Sequence, residues 1–331
     1  MKQRGAALLM AMLTVALVAT FAAAALWQQW RTVEVETAER ARVQSAWILT
    51  GALDWARLLL REDKIGAGSA MVDHLGEPWA VPLQEARLSN FLAADKNNTT
   101  TDLGPEMMDA FLSGQIVDLQ SMMNLNNLIV GGQIDVHRLP AFARLFEILG
   151  LPQSEFSKLA ENLRFSVWAG RVTPSPLQAP LQPMRVSELV WLGVKPQTIA
   201  VLEPYVTTLP YSTDTRLNVN TASAEVIAAV RGIDLADAQR MVQIRNGGNY
   251  FRDPGDFEAH LNSPVPYNQA EDYPLDVRSD LFEVHARLRL DKLVVEERSV
   301  IRRNGNKMEV VSRERGNSDP TAPSRLATPQ R

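Results

Sequence analysis

From Ala6 to Trp27 the chain runs for 22 residues without a charge, with Thr14 and Thr20 as polar interruptions. As a helix rising about 1.5 Å per residue, the run reaches roughly 33 Å, enough to cross a bilayer core. Leaving it bare in water is very unfavourable, so it fixes one end of the architecture before anything else is read. The stub in front of it is Met1-Lys2-Gln3-Arg4-Gly5. Lys2 and Arg4 keep that stub cytoplasmic and send the rest of the chain outward. Trp27 and Trp30 stand where an interfacial aromatic belt sits.

Three fates fit this beginning. One is a plain anchor. Another is a secretory signal peptide, with an A-x-A cleavage site in Phe21-Ala22-Ala23-Ala24-Ala25. The third is a leader of the type IV pilin kind, with Gly5 its last residue and Ala6 the mature N-terminus. Polar residues begin at Gln28, yet the pattern stays helical to about Arg61, without proline and with Gly51 as its one glycine. Trp47, Leu53, Ala56 and Leu60 recur at roughly helical spacing. A pilin-like protein needs this arrangement, an apolar half followed by an amphipathic half that packs on a globular head. A simple anchor followed by an unrelated helix has the same residues.

With 46% hydrophobic and 22% charged residues, the remainder can bury a core. Gly66 to Pro82 reads as a break, and residues 83–134 mix short apolar pieces with turn residues. Ile116-Val117-Asp118-Leu119 and Asn127-Leu128-Ile129-Val130 fit either strands or short helical turns. Residues 135–168 read as helix, with Leu139, Phe142, Leu145, Phe146 and Leu149 on one face. Thr173 to Pro183 reads as a proline-rich linker. Ser187 is placed to cap a short helix that Gly193 ends, and a second helix is expected from Pro196 to Val206.

Leu217-Asn218-Val219-Asn220-Thr221-Ala222 leads into a helix, with Asn220 or Thr221 as its cap and Glu225 in its first turn. Gly232 breaks that helix, and Asp234 caps the next, which runs to about Arg245. Two short helices around a tight glycine turn form a helix-hairpin-helix-like unit. Phe282, Val284, Ala286, Leu288 and Leu290 then alternate with Glu283, His285, Arg287 and Arg289, the pattern of a half-buried strand. Asp291-Lys292 is a turn, Leu293 to about Arg302 a second strand, and Asn304-Gly305 a hairpin signal before a third strand at Met308 to Ser312. From Gly316 onward the composition is that of a disordered tail.

The N-terminal helix, the helical segment with Asn-Val-Asn-Thr-Ala and the closing hairpins occur together in this order. The combination resembles the K-type minor pseudopilins of bacterial type II secretion systems, over roughly residues 1–315. Its most specific parts are Arg4-Gly5-Ala6-Ala7-Leu8-Leu9 and the segment from Leu217 to Arg245. The resemblance implies an α+β fold with a long N-terminal transmembrane helix. It also implies a pilin-like α/β head with an antiparallel sheet, and an inserted all-helical domain holding the hairpin unit. The implied boundaries are a leader at 1–5 and a transmembrane half at 6–27. The head would span 28–134 and 266–315, the insert 135–265, and the tail 316–331.

It further implies that a prepilin peptidase cuts between Gly5 and Ala6 and methylates the new amine of Ala6. Leu8, Leu9, Met10 and Leu13 would pack on partner helices. The partners implied are I-type and J-type minor pseudopilins, an H-type pseudopilin, the major pseudopilin, and secreted substrates. The protein would sit in the inner membrane with its head periplasmic, then at the tip of a pseudopilus that serves export across the outer membrane. Most pseudopilins carry glutamate at mature position five, where the N-terminal amine of an adjacent subunit neutralises a charge that is costly in an apolar bundle. Here that position is Met10, which fits a terminal subunit.

Chemistry of other kinds finds little support. The chain has no cysteine, which excludes disulfides, thiolate metal sites and cysteine nucleophiles. His74, His137, His260 and His285 lack metal-ligand spacing, and no nucleophile elbow, P-loop or H-E-x-x-H motif is present. An enzyme is therefore not expected, and no cofactor is required. Helix-hairpin-helix units often bind DNA through a glycine-rich turn and nearby cations, which gives a membrane-anchored DNA-uptake protein as the alternative. Asp234 opposes it by placing a negative charge where a phosphate would lie, and a net charge of −4 does not favour nucleic acid. Calcium is implied by the resemblance. The candidate oxygen ligands are Asp253, Asp256 and Glu258 in one loop and Asp272, Asp276 and Asp280 in another, neither at EF-hand spacing.

Overall fold

Alternation of apolar and polar residues over Phe282–Leu290 builds most of the central strand of an antiparallel sheet, Leu281–Leu290, and from Phe282 onward its even-numbered side chains are the ones buried. The computed structural model describes residues 4–67, 72–89, 110–170, 178–209, 214–262, 272–290 and 293–317. Helix α1 is Arg4–Ala67, followed by strands β1 (Leu83–Arg87) and β2 (Ala110–Asp118). Then come β3 (Met123–Asn124), β4 (Ile129–Val130), β5 (Gln133–Ile134), α2 (Leu139–Ile148) and α3 (Gln153–Ala169). Next are α4 (Pro196–Leu202), β6 (Val206–Thr207), β7 (Leu217–Asn218), α5 (Ala224–Arg231), α6 (Leu235–Asn246) and α7 (Pro254–Ala259). The chain closes with β8 (Leu275–Asp276), β9 (Leu281–Leu290), β10 (Leu293–Asn304) and β11 (Lys307–Asn317).

The main sheet has the order β1-β2-β9-β10-β11, antiparallel throughout. One face packs on the C-terminal part of α1. Leu49 meets Leu112, Ala286 and Leu288, and Leu53, Ala56 and Leu60 meet Trp79, Phe282, Ile301 and Met308. Lys64 Nζ donates to the carbonyl of Gly305, and Arg57 Nε donates to that of Met308 at 3.0 Å, fastening the last turns of the helix to the β10–β11 hairpin. The hairpin's two-residue turn is Gly305-Asn306, one position on from the expected Asn304-Gly305, and Gly305 takes φ 57°, a conformation that favours glycine.

Several expectations are adjusted. The helix continues to Ala67, past the expected break at Gly66. Trp47 does not share the core face of Leu53, Ala56 and Leu60; it is 73% exposed. Two residues separate it from buried Leu49, about 200° around a helix, so it points the opposite way. Strand β11 runs on through Gly316 and Asn317, where the tail was expected to begin. Residues 1–3, much of the Thr173–Pro183 linker, the Asp291-Lys292 turn and residues 318–331 lie outside the described residues.

Between β2 and β9, which are neighbours in the sheet, the chain leaves on a long excursion. Its core runs from Met123 to Val277 and includes Phe142, Phe146, Leu159, Leu163, Ile227, Met241, Phe257 and Tyr273. The insert therefore starts soon after Asp118, ahead of the expected boundary at 135, because the short apolar pieces at 123–134 join its core. It is helical as expected, with three added two-stranded pairs: β3 with β6, β4 with β5, and β7 with β8. The two ambiguous pieces are each part strand and part 3-10 turn, with turns at Leu119–Ser121 and Leu125–Leu128. The segment after the linker is a 3-10 helix, Val186–Leu192, whose cap position is Arg185 in place of Ser187. The helix from Pro196 stops at Leu202, before the expected Val206.

Candidate functional site

The insert meets the head in a buried polar knot. Asp118 ends β2 and is 3% exposed. Its Oδ2 accepts hydrogen bonds from Thr221 Oγ1 at 2.5 Å, Ser279 Oγ at 2.6 Å and Asn218 Nδ2 at 3.2 Å, and its Oδ1 accepts one from Gln120 N at 2.8 Å. Asp73, fully buried, accepts from Arg303 Nη1 at 2.6 Å and from Ser279 N at 2.7 Å. Arg303 also donates through Nη2 to Asp63 at 3.0 Å and to the carbonyl of Leu60 at 3.3 Å. Gln120 spans Arg216 O, Arg278 O and Asp280 N. Head elements α1, β2 and β10 are thus tied to the insert through the side chains of Asn218 and Thr221.

This is where Leu217-Asn218-Val219-Asn220-Thr221 acquires a physical role. Asn220 closes a second link, donating to the carbonyl of Phe251 and accepting from its N–H, both at 2.9 Å. With Asn220 and Thr221 so engaged, the cap of α5 falls to Ser223, whose hydroxyl accepts from Val226 N. Glu225 lies in the first turn, and Asp234 caps α6 through Asp237 N, both as expected.

Burial dominates the electrostatics of the knot. It pushes Asp118 up to about 6, against the opposing hydroxyl hydrogen bonds of Ser279 and Thr221. Burial also raises Asp73, against the pull of Arg303. Nearby Glu77 rises to about 7 by burial, although it accepts hydrogen bonds from His74 N and Trp79 Nε1. Burial lowers His74, whose ring stacks on Tyr250 of the insert at 4.2 Å. These donors and acceptors are spent on one another, so the knot holds two parts together and is not built to turn over a substrate.

The second candidate surface is α1 itself. Gly5 and Ala6 lie in its first turns. Leu8, Leu9, Met10 and Leu13 are between 65% and 72% exposed. Every described side chain from Ala6 to Arg40 is exposed. Lower down, Trp47, Gly51 and Trp55 line an open groove of about 630 Å³ with Val81, Leu83 and Ile116.

The six loop acids do not converge. Asp253 caps α7, and Asp256 accepts from Arg252 N. Glu258 pairs with Arg231 at 2.7 Å, and Asp276 pairs with Arg216 and Arg278. Asp272 adds a charge near Arg144, and Asp280 is tied to Gln120 and Arg303 through its backbone. Among the described residues the carboxylates that come together are Asp63, Asp73 and Glu77, and Arg303 already lies on the first two. Among the described residues, none of the six candidate acids joins a cluster that fits calcium.

The hairpin of α5 and α6 forms as expected, with Gly232 at φ 66°. Its surroundings differ from a phosphate cradle. Arg144 of α2 donates to Ala229 O at 2.7 Å and lies 3.4 Å from where a Cβ on Gly232 would stand. Arg231 is held by Glu258, Arg245 donates to Val219 O, and Arg240 donates to His260 O. The arginines a DNA-binding reading needs are thus committed inward.

Asp73, Asp118 and Arg303 were not singled out from sequence. A signal existed for two of them. Asp118 is a carboxylate inside an apolar run, and Arg303 occupies an inward-facing strand position two residues from buried Ile301.

Comparison with known proteins bears on this arrangement. Two family models, both described as type II secretion system protein K, match residues 121–211 and 217–278. A Pseudomonas aeruginosa protein described as type II secretion system protein K is 28% identical, covering 97% of this chain and 96% of its own length. A chain of the GspK-GspI-GspJ complex from the enterotoxigenic Escherichia coli type 2 secretion system has the same fold. It matches with a TM-score of 0.56 at 18% identity, covering 85% of this chain and 99% of that one. The apolar helix, the sheet it packs on and these matches define a minor pseudopilin, a non-enzymatic component of type II secretion. Within that class, the chain is similar to protein K.

Proposed function

We propose that this pseudopilin works at the tip of the pseudopilus, joined to I-type and J-type minor pseudopilins, and acts in filament initiation and protein export across the outer membrane. The carrying observation is where the insert sits. The head packs on α1 from about Ala41 onward, so the end of the sheet that holds Leu290 and Leu293 lies toward the apolar half of the helix. Asp118 and Leu281, where the chain leaves and re-enters the sheet, lie at the other end, beside Leu60. The insert crowns the end farthest from the membrane, where a subunit stacked above would have to sit. Met10 supports the reading, since a subunit at the end of a filament has no amine above it to neutralise. The match to a chain of a GspK-GspI-GspJ complex supports the choice of partners. The H-type and major pseudopilins would follow below.

Before assembly the protein lies in the inner membrane, N-terminus cytoplasmic and head periplasmic, as Lys2 and Arg4 direct. The prepilin peptidase cuts between Gly5 and Ala6 and methylates Ala6. Leu8, Leu9, Met10 and Leu13 then exchange lipid for partner helices, where packing holds them. The deciding experiment is intact-mass analysis of the N-terminal peptide, followed by co-purification with the I-type and J-type partners. A methylated Ala6 terminus and a stable ternary complex are expected. A terminus at Leu26 would mean a cleaved signal peptide and would overturn the reading.

A further inference from the structure

Helix α1 is held to the sheet unequally on its two flanks. Toward β11, Arg313 Nη2 donates to Thr50 Oγ1 at 2.8 Å, Arg315 Nη2 to the carbonyl of Ala46 at 3.5 Å, and Arg57 Nε to that of Met308 at 3.0 Å. That flank is closed by the chain's own cations. Toward β1 lies the open groove of about 630 Å³, and among the described residues no Asp, Glu, Lys or Arg lines it. Trp47 is 73%, Val81 67% and Trp55 48% exposed there. Gly51 stands between the two tryptophans, and nothing lies within 4 Å of where its Cβ would be. Over the roughly 12 Å from Trp47 to Trp55, α1 thus presents a ridge, a gap and a ridge. Such a surface takes the ridge of a second helix.

The groove continues beyond the head. At helical steps of three or four residues from Trp47, the same stripe of α1 passes Gln44, Arg40, Glu36, Val33, Gln29 and Leu26 and enters the apolar run. The charges on it, Glu36 and Arg40, neutralise one another at 2.6 Å. A partner that sits in the groove and follows this stripe is rooted in the same membrane and runs parallel to α1. An extended peptide would use the groove alone. The adjoining sheet edge does not suit one, since β1 has five residues and a register shift between Leu83 and Ala86.

We propose that the Trp47–Gly51–Trp55 groove seats the N-terminal helix of a neighbouring pseudopilin, parallel to α1 on its β1 flank, with an apolar side chain of that helix over Gly51. The assignment rests on the tip-complex reading above and adds which side of this subunit its I-type or J-type partner occupies. The β11 flank takes no such helix, because Arg313 and Arg315 already cover Thr50 and Ala46.

The test uses the full chain, co-expressed with its I-type and J-type partners and extracted in mild detergent. Gly51→Leu fills the gap, and its thermal midpoint without partners should not fall, because the added carbon meets nothing in this chain. Recovery of partner should drop about tenfold, the consequence of about 1.4 kcal/mol lost from the interface. Trp47→Ala should lower recovery in the same direction. Arg42→Leu, one turn before Ala46 on the β11 flank, should leave it unchanged. A photo-crosslinking amino acid in place of Trp47 should join the N-terminal helix of a partner, read by mass spectrometry of the adduct. Full recovery with both Gly51→Leu and Trp47→Ala would overturn the seat and leave the tip complex standing. So would an equal loss with Arg42→Leu, or an adduct on a second copy of this chain or on a strand of a partner. Should Gly51→Leu lower the thermal midpoint, Trp47→Ala and the adduct decide. Failure of the unchanged chain to recover either partner would overturn the tip complex itself, and the seat with it.

Discussion

The two ends of α1 follow opposite rules. From Ala6 to Arg40 its side chains are exposed, apolar ones included, and nothing among the described residues covers them. From Leu49 to Leu60 the same helix buries a continuous face against the sheet, and its last turns reach the polar knot. One half is buried within this chain, and the other is an exposed apolar helix long enough to cross a bilayer. A substitution should therefore act on folding at one end and on assembly at the other.

The largest expected effect is at the knot. Arg303→Leu leaves Asp73 buried without its cation, which should cost about 3–5 kcal/mol in chemical denaturation of the full chain in detergent. A loss below about 1 kcal/mol would show that water reaches Asp73.

The sharpest contrast uses one substitution at both ends of the helix. Leu60→Ala should destabilise the head by about 2–5 kcal/mol, since Leu60 is fully buried. Leu9→Ala, at a position 68% exposed, should leave the denaturation midpoint unchanged while lowering recovery with partner pseudopilins. Equal effects on stability at both sites would break the comparison.

Asn218→Ala should cost about 1–3 kcal/mol, because Asp73 O and Asp118 each lose a donor. Limited proteolysis should cut first between the insert and the sheet. Smaller still is Ser223→Ala, about 1 kcal/mol from the lost cap of α5. Gly51→Ala should instead stabilise by about 0.5–1 kcal/mol, since the site is helical and nothing stands within 4 Å of the added carbon. A fall in thermal midpoint on that change would mean the groove beside Trp47 is filled in the folded protein.

Features set by near neighbours were legible in the sequence. The alternation over Phe282–Leu290, the hairpin signal at Asn304-Gly305 and the Asp234 cap each depend on residues a few positions apart; the strand and the cap stand as read, and the turn is displaced by one residue. Features set by distant partners were not legible. The nearness of the next helix suggests Asn220 or Thr221 as its cap; the Thr221 hydroxyl instead finds Asp118, 103 residues away, and Asn220 pairs with Phe251. Trp47 recurs with Leu53, Ala56 and Leu60 at roughly helical spacing, yet the buried residue at that level of the helix is Leu49. For the candidate site, the residues of the Leu217–Thr221 stretch were visible as a signature. What they hold was not, because Asp73, Asp118 and Arg303 come from three separate stretches of chain.

The insert interrupts the sheet between neighbouring strands, with Asp118 opposite Phe282. This sets the order in which a growing chain can be completed. Three of the five strands, β9 to β11, are synthesised after the whole insert, yet they form the surface on which Leu49 to Leu60 must lie. The first segment to reach the membrane is thus the last to find its platform. The β9–β10–β11 meander folds from local contacts, while the β2–β9 pairing closes across a long intervening stretch and is intrinsically slower. Until that final step, the amphipathic half of α1 is an apolar surface in waiting, and a chaperone or the bilayer surface has reason to hold it.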